Sequence, residues 1–161
     1  MPEYFRIGPA IWNRPRTDDQ RLMTFYMLTN RHRNTEGLYF LPHSYVAEDT
    51  GWDLERCREA INDLEAEDFL NYDHQSRVVL VTGALFWQSP ENDRQAKAAV
   101  NRLLAVPETF LRGRFLQLCE RHSSRLTTHL REAVPEWFIQ SVPANLKARI
   151  APVVDDAQEA S

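Results

Sequence analysis

Pro42-His43-Ser44-Tyr45-Val46-Ala47-Glu48-Asp49-Thr50-Gly51-Trp52-Asp53-Leu54-Glu55-Arg56-Cys57-Arg58-Glu59-Ala60-Ile61-Asn62-Asp63-Leu64 is the stretch that decides the fold. Pro42 suits the first turn of a helix, where its missing N–H would have had no partner in any case. Tyr45, Val46 and Ala47 are expected to face inward, and Gly51 stands where a left-handed C-terminal residue is wanted. Asp53 can cap a second helix, in which Leu54, Cys57, Ile61 and Leu64 recur at helical spacing with Ala60 close to the same stripe. Two short amphipathic helices joined by the tight Thr50-Gly51-Trp52 turn predict a helix-turn-helix.

Upstream, Thr17-Asp18-Asp19-Gln20 forms a capping box: the Thr hydroxyl can take an amide proton while Gln20 reaches back. A helix is predicted from Asp18 to about Asn30. Its apolar residues Leu22, Met23, Phe25, Tyr26, Met27 and Leu28 cover most of the circumference, so it is expected to be a buried spine. Gly37 punctuates the following loop, and Leu38-Tyr39-Phe40-Leu41 reads as a short strand. Downstream the period changes from helical to alternating. Phe69 to Tyr72 and Val78 to Val81 predict a hairpin with its tip at 73–77. Helix, strand, helix, turn, helix, hairpin is the order of a winged helix.

Beyond the hairpin, Ser89-Pro90-Glu91-Asn92 opens a helix with Ala96, Ala99, Val100, Leu103 and Leu104 inward. Pro107 ends it and leads into another with Leu111, Phe115, Leu118, Cys119 and His122 on one stripe. A shorter helix is expected around Arg125 to Arg131, after which Pro135-Glu136-Trp137-Phe138 and Pro143 break the pattern. The expected class is α+β and mostly helical. A winged helix-turn-helix domain with an N-terminal arm spans residues 1–90, a helical extension 91–150 and a flexible tail 151–161.

The 161 residues are 43% hydrophobic, enough for an ordinary core, which excludes wholesale disorder. Two distant cysteines, Cys57 and Cys119, suit a reducing compartment better than a disulfide framework, so a cytoplasmic setting is expected. The longest uncharged run near the middle, Val78 to Pro90, is 13 residues, short of the roughly 20 a membrane helix needs.

Five glycines form no phosphate-cradling loop, and there is no Gly-x-Ser-x-Gly elbow, so an enzyme is not expected and no cofactor is implied. Cys119-x-x-His122, with His129 farther on, offers zinc-ligand types without the paired motif of a closed site; it reads as core packing, and no metal is assigned. His32, His43 and His74 fall in loop or cap positions, where a solvated or hydrogen-bonded histidine is ordinary.

Charge is unevenly spread. Residues 1–93 carry 9 bases against 16 acids, and residues 94–149 carry 10 against 4. Such asymmetry points to a polyanion-binding segment beside an acidic module. The helix that would enter a major groove is itself acidic, with net charge −5 between Asp53 and Asp68. Arg56, Arg58 and Asn62 are its candidate base readers. Phosphate neutralisation, the bulk of DNA affinity, must then come from Arg14 and Arg16 on the arm, Arg31 and Arg33 before the first strand, Arg77 at the wing tip, and Arg94, Lys97 and Arg102 on the extension. The plainer reading of each arginine is a solvated surface side chain. Trp52 is expected in the core, Phe86 and Trp87 between the hairpin and the later helices, and Trp137 and Phe138 at an exposed partner anchor.

Several runs carry a family resemblance: Tyr4-Phe5-Arg6-Ile7-Gly8-Pro9-Ala10-Ile11-Trp12, Leu22 to Asn30, Glu36-Gly37-Leu38-Tyr39, Val46 to Gly51, Leu64 to Leu70, Phe86 to Asn92 and Val106-Pro107. In order and spacing they resemble the N-terminal winged helix of phage and Gram-positive replication-initiation proteins, the replisome organisers related to DnaD. That resemblance implies a phage or mobile-element protein that initiates DNA replication as a homo-oligomer on double-stranded DNA, with single-stranded DNA the other candidate. It also implies a helicase or helicase-loader partner, and a location at the bacterial nucleoid or in a phage-infected host. Two rival expectations share the fold: an interaction module whose acidic third helix docks a protein, and a transcriptional repressor.

Overall fold

The computed structural model describes residues 8–14 and 16–139; the flexible tail expected at 151–161, and the last part of the extension before it, lie outside the described residues. The structure is α+β, 60% helical, with a small three-stranded antiparallel sheet. After a 3-10 turn over Pro9–Trp12, the chain runs α1 (Asp18–Thr29), β1 (Leu38–Phe40), α2 (His43–Thr50), α3 (Leu54–Ala66), β2 (Leu70–Asp73), β3 (Val78–Val81), α4 (Ala84–Gln88), α5 (Asp93–Leu104), α6 (Arg112–His122), α7 (Ser124–Ala133) and α8 (Glu136–Ile139).

Local chemistry fixes most boundaries. The capping box at α1 is complete: the Gln20 amide donates to the Thr17 hydroxyl at 3.2 Å, and the Thr17 amide to the Gln20 carboxamide oxygen at 3.0 Å. Gly51 closes α2 at φ 73°, a left-handed conformation cheap only for glycine, and its amide donates to the Ala47 carbonyl. The Asp53 carboxylate caps α3 by accepting from the Arg56 amide at 2.8 Å. Gly37, at φ 83°, is doubly required, because a Cβ there would lie 2.5 Å from that of Ala84.

The sheet order is β1-β3-β2, with Leu38 opposite Leu80 in one pair and Asn71 opposite Leu80 in the other. All four residues of β3 are buried, and alternation sends them two ways. Val79 and Val81 join a core with Met23 and Met27 of α1, Val46 of α2, and Cys57, Ile61 and Leu64 of α3. Val78 and Leu80 join a second core with Val100 and Leu103 of α5, Phe115 and Cys119 of α6, and Leu126 and Leu130 of α7. The sheet is thus the middle of three layers, and the expected boundary near residue 90 falls between two helical layers that share it.

Several expectations change. Tyr45 and Leu104, expected inward, are 38% and 49% exposed. α1 is amphipathic rather than buried all round: Met23, Thr24, Met27 and Leu28 are inside, while Leu22 is 48% exposed. Phe86 and Trp87 sit on the short helix α4 and are not buried between hairpin and later helices: Phe86, 61% exposed, meets the His122 ring of α6 edge-on at 5.7 Å, and Trp87, 41% exposed, lies against Gly8. A one-turn helix, α8, replaces the expected break after Pro135 and lays Trp137 and Phe138, half-buried, against the second core.

Candidate nucleic-acid interface

α3 turns Cys57, Ala60, Ile61 and Leu64 inward and leaves Glu55, Arg58, Glu59 and Asn62 exposed. Arg58 is met only loosely, by Glu55 at 4.0 Å with both side chains more than half exposed, so its charge is little cancelled. Arg56 is engaged elsewhere. Its guanidinium binds both oxygens of Asp19 on α1, at 2.8 and 2.7 Å, and lies 4.0 Å from the Trp52 ring. That fork holds the Asp19 carboxyl below its usual value and raises Arg56 in turn.

The hairpin brings Arg77 and His74 to the neighbourhood of His43, the first residue of α2. Arg77 closes the turn at φ 57°; its carbonyl accepts from the Leu41 amide at 2.8 Å and its guanidinium stands 5.3 Å over the Phe40 ring. His43, first residue of α2, stacks on Tyr72 of β2 at 4.6 Å, and His74 of the turn meets the Tyr72 edge at 4.9 Å. The Tyr72 hydroxyl donates to the Leu41 carbonyl at 2.9 Å, which pins the ring. Burial pushes the Tyr72 phenol up to about 12, with the Arg77 charge pulling the other way. Burial, then His74, then Arg58 lower the His43 pKa. The Arg58 charge thus acts on His43 and the Arg77 charge on Tyr72, where the Asp73 charge acts in the opposite sense. The histidines were not among the residues expected here: they stand 31 positions apart, and only the return of β2 beside the start of α2 pairs them.

The remaining candidates are dispersed. Arg14 donates to the Glu67 carbonyl at 3.0 Å, and Arg16, only 6% exposed, binds the Glu67 carboxylate at 3.0 Å, so both arm arginines gather at the C-terminal end of α3. Arg94 and Lys97 are exposed on α5 and make no hydrogen bond or ion pair with another described residue, but α5 covers the opposite side of the sheet from α3. Arg102 is a strut between layers rather than a free cation: Nε and a terminal nitrogen bind the two oxygens of Glu36 at 3.1 and 2.6 Å, and the Glu36 side chain is wholly buried. Trp137 and Phe138 are covered by guanidiniums as well as by the core, Arg112 at 4.3 Å and Arg131 at 4.5 Å. Among the described residues no helix is long and apolar enough to cross a membrane.

The arrangement offers two arginines near one aromatic stack and an exposed amide at Asn62, hydrogen-bond donors that suit an anionic polymer, with Glu55 and Glu59 exposed on the same helix. Compared with known proteins, the chain matches no protein-family model, no curated protein and no solved structure.

Proposed function

We propose that this chain is a non-enzymatic winged-helix protein that binds double-stranded DNA and works as a homo-oligomer in the initiation of replication, handing a helicase or its loader to the site. The order helix, strand, helix, turn, helix, hairpin and the sheet order β1-β3-β2 support the winged-helix reading. The replication role rests on the resemblance to replisome organisers. The observation that carries DNA binding is an exposed Arg58 on α3, met by Glu55 only at 4.0 Å, together with Arg77 at the hairpin turn, whose charges act on His43 and Tyr72 of one stack. In this reading α3 lies in the major groove with Arg58 and Asn62 toward base edges, and Arg77 follows the backbone. Glu55 and Glu59 share that face and weaken non-specific attraction, so affinity is modest and concentrated at the hairpin.

Fluorescence anisotropy on random duplex and on duplex from the native locus, across a salt series, tests this. Arg58→Ala with Arg77→Ala should lower the slope of log affinity against log salt by about one unit per lost phosphate contact. Arg94→Ala with Lys97→Ala removes the same charge from the other layer and should alter the slope much less. Equal losses in the two double variants would mean that bulk charge, not the α3–hairpin surface, does the binding. Absence of duplex binding at low salt would overturn the proposal. It would then favour a second reading, for which the exposed Glu55 and Glu59 speak: α3 docks a basic protein partner.

A further inference from the structure

Beside α1 the arm encloses a shallow cleft lined by Ile11, Trp12, Arg14, Arg16, Arg21 and Phe25. One wall is aromatic. The Trp12 indole is 65% exposed and sits 5.5 Å from the Phe25 ring at a 53° tilt, so its outer face lies in water. The other wall is cationic, and its three guanidiniums are not equivalent. Arg16 is neutralised by Glu67 and buried, and forms part of the floor. Arg14 gives a hydrogen bond to the Glu67 backbone carbonyl, a neutral acceptor that leaves its charge uncancelled. Arg21 meets Asp18 at 3.1 Å, but the Asp18 side chain is 98% exposed, and a solvated pair one helical turn apart cancels little.

Two available guanidinium forks beside a bare indole face suit a ligand that is planar at one end and anionic at the other. We propose that this cleft takes one unpaired nucleotide of a nucleic-acid strand, its base stacked on Trp12 and its phosphate held by Arg14 and Arg21. An acidic peptide would satisfy the arginines and leave the indole in water; a nucleotide uses both walls, as single-strand binders do. None of these residues belongs to the Arg58–Arg77 surface, so the cleft is a second site and stands whether or not that surface reads duplex DNA.

The test is anisotropy of labelled oligothymidylate and of a matched random duplex with the full chain, for the wild type, Trp12→Ala, and Arg14→Ala with Arg21→Ala. Circular dichroism melts of each variant establish that the fold is kept, which the exposure of Trp12 favours. Trp12→Ala should weaken oligothymidylate binding by about fivefold to a hundredfold and leave duplex binding unchanged. The double arginine variant should lower the salt slope for oligothymidylate by about 0.7 per lost contact. The proposal is overturned if oligothymidylate fails to bind at low salt, or if Trp12→Ala binds it as the wild type does. It is also overturned if polyglutamate competes equally well in the wild type and in Trp12→Ala, which would make the cleft a simple anion surface.

Discussion

The two faces of the sheet are built from the same strand and solve different problems. Val79 and Val81 look toward α1, α2 and α3, whose outer surfaces carry the acidic helix and the hairpin cluster. Val78 and Leu80 look toward α5, α6 and α7, whose side of the sheet is tied by polar contacts to loops of the first layer. Arg102 of α5 reaches the buried Glu36, and Thr109 donates to the Asp73 carboxylate of the hairpin at 2.7 Å. The second layer is therefore half of the core that holds β3 in place. All four residues of β3 are buried, so the side of the sheet away from α3 must also be covered, and here the extension covers it.

The largest expected effect tests whether that cover is integral. Phe115→Ala empties the second core and Ile61→Ala the first; both residues are fully buried, and losses of about 3–5 and about 2–5 kcal/mol respectively are expected. If the layers are one cooperative unit, both variants unfold in a single urea transition whether followed by far-ultraviolet circular dichroism or by tryptophan fluorescence. A separate early transition in Phe115→Ala, with the first layer intact, would break the comparison and make residues 91–139 an independent appendage.

Next in size is the strut. Arg102→Ala would leave the Glu36 carboxylate buried with only the Thr35 hydroxyl, at 2.6 Å, as a donor, and should cost about 3 kcal/mol. Glu36→Gln should cost less, since Arg102 is 43% exposed and can turn its guanidinium to water. Equal losses would show that the coupling between layers lies in packing and not in this pair.

Much of the first layer was legible in the sequence because its signals are local. The Thr17–Gln20 box, Gly51, the Asp53 cap and the 73–77 turn each bond within a few residues, and each is found where expected. The three-layer arrangement was harder to see, yet Val78-Val79-Leu80-Val81 held the clue: an unbroken apolar run marks a strand covered on both faces, where one wet face would alternate. Candidate site residues were least legible, since arginines look alike in a sequence. Arg16, Arg56 and Arg102 find carboxylates 51, 37 and 66 positions away, and no local pattern reports such partners. His43 and His74 went unmarked for the same reason.

The smallest effect separates the two faces by pH. Alternation along β2 points Tyr72 forward, under His43, and Asp73 back, where burial would raise its carboxyl but the Ser76 and Thr109 hydroxyls and the Ser76 and Gln75 amides outweigh it and hold it low. On the front, the Nε2 atom of His43 is shielded and has no hydrogen-bond partner, and the imidazole is pushed below its ordinary value. Both shifts make the unfolded chain bind protons more readily than the folded one, so both reduce stability as pH falls. Their windows differ. The His43 contribution fades as pH drops below about 6.5, the unfolded histidine value, whereas that of Asp73 holds until pH falls below about 3.9. Urea unfolding from about pH 7.5 to about pH 5 should therefore lose stability in the wild type and lose less in His43→Gln, which keeps a neutral side chain at every pH. Asp73→Asn should leave that window unchanged and flatten the decline below it. If His43→Gln falls as steeply as the wild type, the imidazole takes its proton without cost, and the front face of the hairpin is no more pH-sensitive than the back.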